Sequence, residues 1–188
     1  MSRSRFARDF LLRPLEERHL GVPELQSPKP AAVLLAIMDK PEPNLLLTRR
    51  TLTLRHHGGQ VALPGGRVDD SDPSHEHAAL REAWEEVGLL PEQVQVLGRL
   101  NPYDTVSRFR ITPVVGLAPE DFPWLLSVDE VDAVFEMPLK KVLDLNRYRT
   151  LDIQRHGQHH RLFCLPYREH LIWGATAAIL YDLALHLR

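Results

Sequence analysis

The chain has 188 residues, with 23 Lys plus Arg against 25 Asp plus Glu and a formal net charge of −2 at pH 7. That balance excludes a protein held on nucleic acid by a broad basic surface, and 44% hydrophobic with 26% charged residues excludes global disorder. The single cysteine, Cys164, excludes an intrachain disulfide and suits a reducing, cytoplasmic setting.

The length favours one domain, residues 1–188, with a core large enough to need no staples. Residues 1–22 read as an amphipathic helical extension leaning on that domain. Asp9, Glu16 and Glu17 argue against a transit peptide, and no uninterrupted apolar stretch suits export. A Pro-containing linker, Pro23 to Pro30, leads to a buried strand over Ala31–Met38, too short to span a bilayer. Pro41–Asn44 is a turn and Leu45–Arg49 a second strand. A Gly-rich loop follows at Gly58, Gly59, Gly65 and Gly66.

Residues 73–87 carry the strongest helix signal, with Asp72 as N-cap, Pro73 in the first position and Gly88 as the stop. Ala79, Leu80, Ala83 and Val87 recur at helical spacing and predict its apolar face. Strands are predicted at Val94–Leu100, Ile111–Leu117 and Val131–Glu136, and Pro138 opens a short helix through Leu143. Two further strands, Tyr148–Gln154 and Arg161–Leu165, flank a turn at Arg155–Gln158. The last helix runs from Leu171 to the end, with Asp182 and His186 marking it as partly buried rather than membrane-spanning. Interleaved strands and helices predict an α+β fold, a mixed sheet with helices packed on it.

Chemistry concentrates in Leu80-Arg81-Glu82-Ala83-Trp84-Glu85-Glu86-Val87-Gly88. At about 100° per residue, Glu82, Glu85 and Glu86 share an arc of roughly 100°. The arc borders the apolar face without overlapping it, so all three are expected on the solvent side. Crowded carboxylates repel, and a hard divalent cation such as Mg²⁺ relieves that repulsion. The plainer alternative is a solvated helix surface on which Arg81 and Glu85 form a weak i,i+4 pair. The double glycine upstream and Arg81 directly before Glu82 favour the metal reading.

With those residues in view, the sequence resembles the Nudix hydrolases, whose box reads G-x5-E-x7-R-E-U-x-E-E-x-G-U with U aliphatic. Here the box spans 66–89, from Gly66 through Arg81-Glu82-Ala83-Trp84-Glu85-Glu86-Val87-Gly88-Leu89. Its second half matches closely. Its first half departs, because the residue after five intervening positions from Gly66 is Asp72 rather than Glu, and eight residues rather than seven then separate Asp72 from Arg81. The upstream run Leu46-Leu47-Thr48-Arg49-Arg50-Thr51, Arg55, Gly59, Leu63-Pro64-Gly65-Gly66 is similar to the signature of Nudix enzymes that cleave coenzyme A, with all spacings kept. Thr51 replaces the usual Ser or Ala, and Leu63 the usual Phe.

The resemblance implies a Nudix fold, a mixed sheet sandwiched between helices. It implies Mg²⁺- or Mn²⁺-dependent hydrolysis of a nucleoside diphosphate derivative, coenzyme A or acyl-coenzyme A first. Glu82 and Glu86 are then the leading metal ligands, Glu85 a ligand or base, and Arg81 an orienting group. Gly65 and Gly66 let backbone approach metal or phosphate. Glu130 is a further candidate acid, or only part of a polar loop before a strand. Arg50 and Arg55 either contact substrate phosphates or ion-pair with the acidic helix.

Remaining features read structurally. His56-His57 and His159-His160 lack the partners of a zinc site and read as surface histidines. Cys164 reads as core, and Trp84 and Trp173 as packing residues. The expected partner is a small nucleotide, with neither nucleic acid nor membrane; monomer and homodimer stay open. Other diphosphate substrates (a dinucleotide cofactor, a nucleotide sugar) and a non-catalytic nucleotide-binding regulatory module remain the alternatives.

Overall fold

The first helix, α1 (Arg3–Leu12), begins at Ser2, whose Oγ accepts the Arg5 N–H at 3.3 Å. Pro14 then forces Arg13 into extended backbone, with φ −87° and ψ 133°. The helix expected over 1–22 therefore ends at Leu12, with Phe6 and Phe10 on its buried side. The computed structural model describes residues 1–18, 20–21, 27–54, 57–155 and 158–188. Residues 23–26 of the predicted linker, Arg55, His56 and the middle of the Arg155–Gln158 turn lie outside the described residues.

Strands β1 (Lys29–Met38), β2 (Asn44–Arg50), β3 (Val61–Ala62), β4 (Gly65–Arg67), β5 (Gln95–Arg99), β6 (Tyr103–Asp104), β7 (Phe109–Ala118) and β8 (Val131–Pro138) form one mixed sheet. β1 and β7 run parallel, from Lys29 opposite Phe109 to Met38 opposite Ala118. Among the described residues the other pairings in this sheet are antiparallel. β1 is apolar without alternation because both its faces are covered. Ala32, Leu34, Ala36 and Met38 pack with Ala78, Ala79, Ala83 and Val87 of helix α2 (His75–Val87). Leu35 and Ile37 point the other way, into a second core shared with Phe6 and Phe10.

That second core is closed by helices α3 (Leu139–Val142) and α4 (Gly174–His186) and by a separate antiparallel sheet of β9 (Arg149–Arg155), β10 (Gln158–Tyr167) and β11 (His170–Trp173). The main sheet is thus sandwiched between α2 on one side and α1, α4 and the small sheet on the other. Residues 171–173, expected to open the last helix, are instead strand. Their burial alternates, with Ile172 inward and Leu171 and Trp173 outward. Alternation also corrects Cys164, which is half-buried on the outer face while Phe163 and Leu165 point into the core. Trp84 is 51% and Trp173 39% exposed. Neither packs as expected, because each lies on the flank of its element that faces away from the core. Among the described residues, no helix is long and apolar enough to cross a membrane.

β1 pairs with β2 only at Ile37–Leu45 and Met38–Asn44, and with β4 at Ala31–Val33. The two long strands therefore diverge, and the Gly65–Gly66 corner fills the gap between them. β3, β4, β6 and β11 escape sequence prediction because two to four residues leave no readable period.

Candidate active site

Helix α2 starts at His75, with Ser74 Oγ accepting the His77 N–H at 3.2 Å. Asp72, expected to cap this helix, faces Arg81 instead. Its Oδ1 accepts from Arg81 Nε at 3.1 Å and its Oδ2 from Arg81 Nη2 at 2.9 Å. The Asp69 N–H and His77 Nδ1 complete its partners, both at 2.9 Å. This set of donors, led by Arg81, holds the Asp72 carboxyl well below the usual carboxylate range. Asp72 thus meets Arg81 despite the altered spacing of the box.

Arg81 is the hub of this side of the helix. Its Nη1 reaches Glu82 Oε1 at 3.0 Å and Glu85 Oε2 at 2.9 Å, and its Nη2 donates to the Arg67 carbonyl at 3.1 Å. Glu85 is exposed, as expected, and is held by Arg81 one turn away. Glu82 is half-buried. Its carboxylate occupies the space beside Gly66, where an added Cβ would lie 2.5, 2.6 and 2.7 Å from its Oε2, Cδ and Oε1. A side chain at position 66 and the present seat of Glu82 exclude each other.

Glu86 departs most from expectation. It is 3% exposed, although the helical arc put it on the solvent side. The arc describes the helix alone. In the fold, Leu125 and Ser127 donate their N–H groups to the Val87 and Glu86 carbonyls at 3.0 Å each, which lays the 119–130 loop along the helix end. Glu86 Oε2 accepts the Gly65 N–H at 3.3 Å, and Oε1 lies 3.7 Å from Arg50 Nη1. Burial pushes its carboxyl up to about 8, against the opposing pull of Arg50 and the Gly65 N–H. Burial also raises Glu82, which Arg81 opposes.

Arg50 closes β2, where the register with β8 shifts between Arg49 and Arg50. Such an irregularity re-aims a side chain at the end of a strand. The same end of β2 binds the turn before β8, the Thr51 N–H donating to the Glu130 carbonyl at 2.9 Å. Glu130 is exposed in that turn, and its charge raises both Glu82 and Glu86. Four acids from two segments and Arg50 therefore act on one another around the glycine corner. Sequence reasoning missed Asp72 as the partner of Arg81; the acid-to-Arg pairing inside the box was the available signal. His57 is exposed in the loop after β2. His159 and His160 fall within β10.

The donors at the corner are all oxygens, which suits a hard cation. Among the described residues no three His, Cys, Asp or Glu side chains are gathered tightly enough to ligate one ion by themselves. Mg²⁺ is ordinarily held by one or two carboxylates, with water and substrate phosphate completing its shell. Glu82 and Glu86, both pushed towards protonation beside two glycines, fit that demand, since a cation reverses the penalty of their burial.

The NUDIX domain family matches residues 28–160, from β1 into β10, and so takes in the corner, α2 and Glu130. NudL of Cronobacter sakazakii, a Nudix hydrolase, is 55% identical over 157 residues, which cover 84% of this chain and 82% of that protein. NudL of Escherichia coli K12 is 50% identical over 177 residues, 94% of this chain and 90% of its own. Neither name states a substrate. Among solved structures, the Mycobacterium smegmatis Nudix hydrolase RenU (M. smegmatis) is similar with a TM-score of 0.51 at 30% identity, covering 62% of this chain and 74% of that one. The C. elegans Ap4A hydrolase binary complex reaches 0.50 at 19% identity over 58% and 80%, a likeness of fold alone. Half of all aligned residues shared with NudL over nearly the full length, together with the domain match, show that this chain belongs to the Nudix hydrolases.

Proposed function

We propose that this chain hydrolyses the diphosphate of coenzyme A or an acyl-coenzyme A, with Mg²⁺ or Mn²⁺, to 4′-phosphopantetheine (or its acyl form) and adenosine 3′,5′-bisphosphate. The observation that carries this reading is the meeting of two motifs. Arg50, from the upstream run, stands 3.7 Å from Glu86, from the box. In this reading Glu82 and Glu86 hold the metal, which neutralises phosphate charge and lowers the pKa of the attacking water. Arg50 faces the same corner and binds a phosphate oxygen of the substrate, a guanidinium being suited to that task. Gly65 and Gly66 leave backbone room for the diphosphate beside the carboxylates. Arg81, fixed by Asp72, orients Glu82 and Glu85. Glu85 is the exposed acid that serves as ligand or base, and Glu130 adds a further acid from outside the helix. Arg55 completes the upstream signature as a second phosphate contact. A reducing cytoplasm suits the lone thiol.

The test is product analysis on purified protein. Coenzyme A with Mg²⁺ or Mn²⁺ is expected to give the two named products, and chelation to stop their formation. Turnover of ADP-ribose, NADH or a nucleotide sugar but not coenzyme A would keep the hydrolase and remove this substrate. Failure on every diphosphate in that panel would turn the reading to a nucleotide-binding regulatory module.

A further inference from the structure

Two cations surround one aromatic ring at the start of β1. Lys29 Nζ lies 5.9 Å, and Arg67 Cζ 5.6 Å, from the centroid of Phe109. Strand register accounts for the meeting. Arg67 of β4 is opposite Ala31 of β1, Ala31 is opposite Ile111 of β7, and Lys29 is opposite Phe109. All five side chains share one face of the sheet.

Other arginines of this sheet are matched to carboxylates. Arg110 grips Asp104 at 2.8 and 2.7 Å, Arg49 reaches Asp132 at 2.7 Å, and Arg99 reaches Glu76 at 2.7 Å. Among the described residues, Lys29 and Arg67 have no ion pair, and both are exposed. Two like charges held over one ring repel each other, and a dianion between them removes that repulsion. The pair also adjoins the corner. Arg67 follows Gly66 directly on β4, its side chain on the opposite sheet face from Glu82 and its carbonyl tied to Arg81. Gly65 and Arg67 are two residues apart on one strand, a rise of about 7 Å. That is the scale of a ribose carrying a phosphate at each end.

We propose that Lys29 and Arg67, seated on Phe109, form a second phosphate site that receives a phosphomonoester on the ribose of the nucleotide half, the 3′-phosphate in coenzyme A. Arg67 supplies a planar fork for two phosphate oxygens, and Lys29 a point charge. The proposal rests on the coenzyme A reading and supplies what that reading lacks, a means to tell coenzyme A from a nucleotide without the extra phosphate.

Calorimetric titration of the full chain in EDTA, with adenosine 3′,5′-bisphosphate and with AMP, measures that preference without turnover. The bisphosphate is expected to bind about tenfold more tightly than AMP, the worth of a charge-assisted contact. Lys29→Gln and Arg67→Gln should each bring the ratio towards one, and Lys29→Arg should keep it. With Mg²⁺, the ratio of kcat/KM for coenzyme A over 3′-dephospho-coenzyme A should fall in the same variants, through KM. A wild-type binding ratio near one overturns the site. So does a ratio left intact in both Gln variants when circular dichroism shows them folded. A strong bisphosphate preference without coenzyme A turnover sinks the substrate reading and leaves the second phosphate site standing.

Discussion

Glu86 brings a carboxyl into the protein with one backbone N–H and a distant guanidinium to meet it. The sign of its effect on stability follows. Its folded pKa, about 8, lies above the roughly 4.3 of an unfolded chain. The stability it contributes is complete below that unfolded value and is lost as pH rises through about 8. Thermal melts in EDTA should therefore show Tm falling between pH 5 and pH 8. Glu86→Gln should flatten that fall, and millimolar Mg²⁺ should reverse it in the wild type only. The same substitution should cut turnover by about a thousandfold if a metal contact worth several kcal/mol is lost. Asp72 has the opposite sign: its depressed pKa adds stability above roughly pH 4 that is lost on further acidification. Asp72→Asn should cost about 2 kcal/mol in denaturant melts and remove that acid-side loss. The acidic set was legible in the sequence because a spacing motif survives folding unchanged. The burial of Glu86 was not, since it depends on the 119–130 loop, whose residues carry no period that announces where they settle. The Asp72–Arg81 pair stayed hidden for a different reason: two adequate caps, Asp72 and Ser74, stand two residues apart, and only the fold shows which is free to turn to Arg81.

The corner between β1 and β2 shows how two adjacent glycines differ. Gly65 has φ +153°, and a Cβ there would press on the β1 backbone, 2.6 Å from Val33 Cα. Gly66 would press only on the end of the Glu82 side chain, which can swing away. Gly65→Ala should therefore cost roughly 2–4 kcal/mol of stability. Gly66→Ala should stay folded with a near-native Tm yet lose most activity, because Glu82 is displaced. Denaturant midpoints set beside kcat separate the two; equal losses of stability would break the distinction. The long elements were legible from their patterns. β1, β7 and α2 are each ten residues or longer and carry either a largely apolar stretch or a 3.6-residue period. β3 and β4 were not, as two or three residues show no period, and β11 was absorbed into the apolar run that continues into α4.

Across the whole molecule, the main sheet is held from both sides, and α1 belongs to the core rather than to a detachable arm. Phe6 is fully buried, Arg3 pairs with Asp39, and Arg13 donates to the carbonyl of Arg188. Phe6→Ala should lower stability by about 3–5 kcal/mol. It should do so in a single transition by fluorescence and circular dichroism alike, since α1 shares its core with α4 and the small sheet. A separate early transition would make α1 an independent unit. The α+β class was legible from the order of elements, whereas the small sheet was visible only as strands of unknown partnership, because pairing between distant segments leaves no local trace. The half-exposed Trp84 has a practical consequence. It is one of three tryptophans and the neighbour in chain of Glu85 on the helix that carries the acids. An indole open to water reports changes in the charge around it through its emission. The molecule thus carries a built-in optical gauge, and with Trp124 and Trp173 changed to Phe, cation arrival at the corner could be followed by light, without a dye.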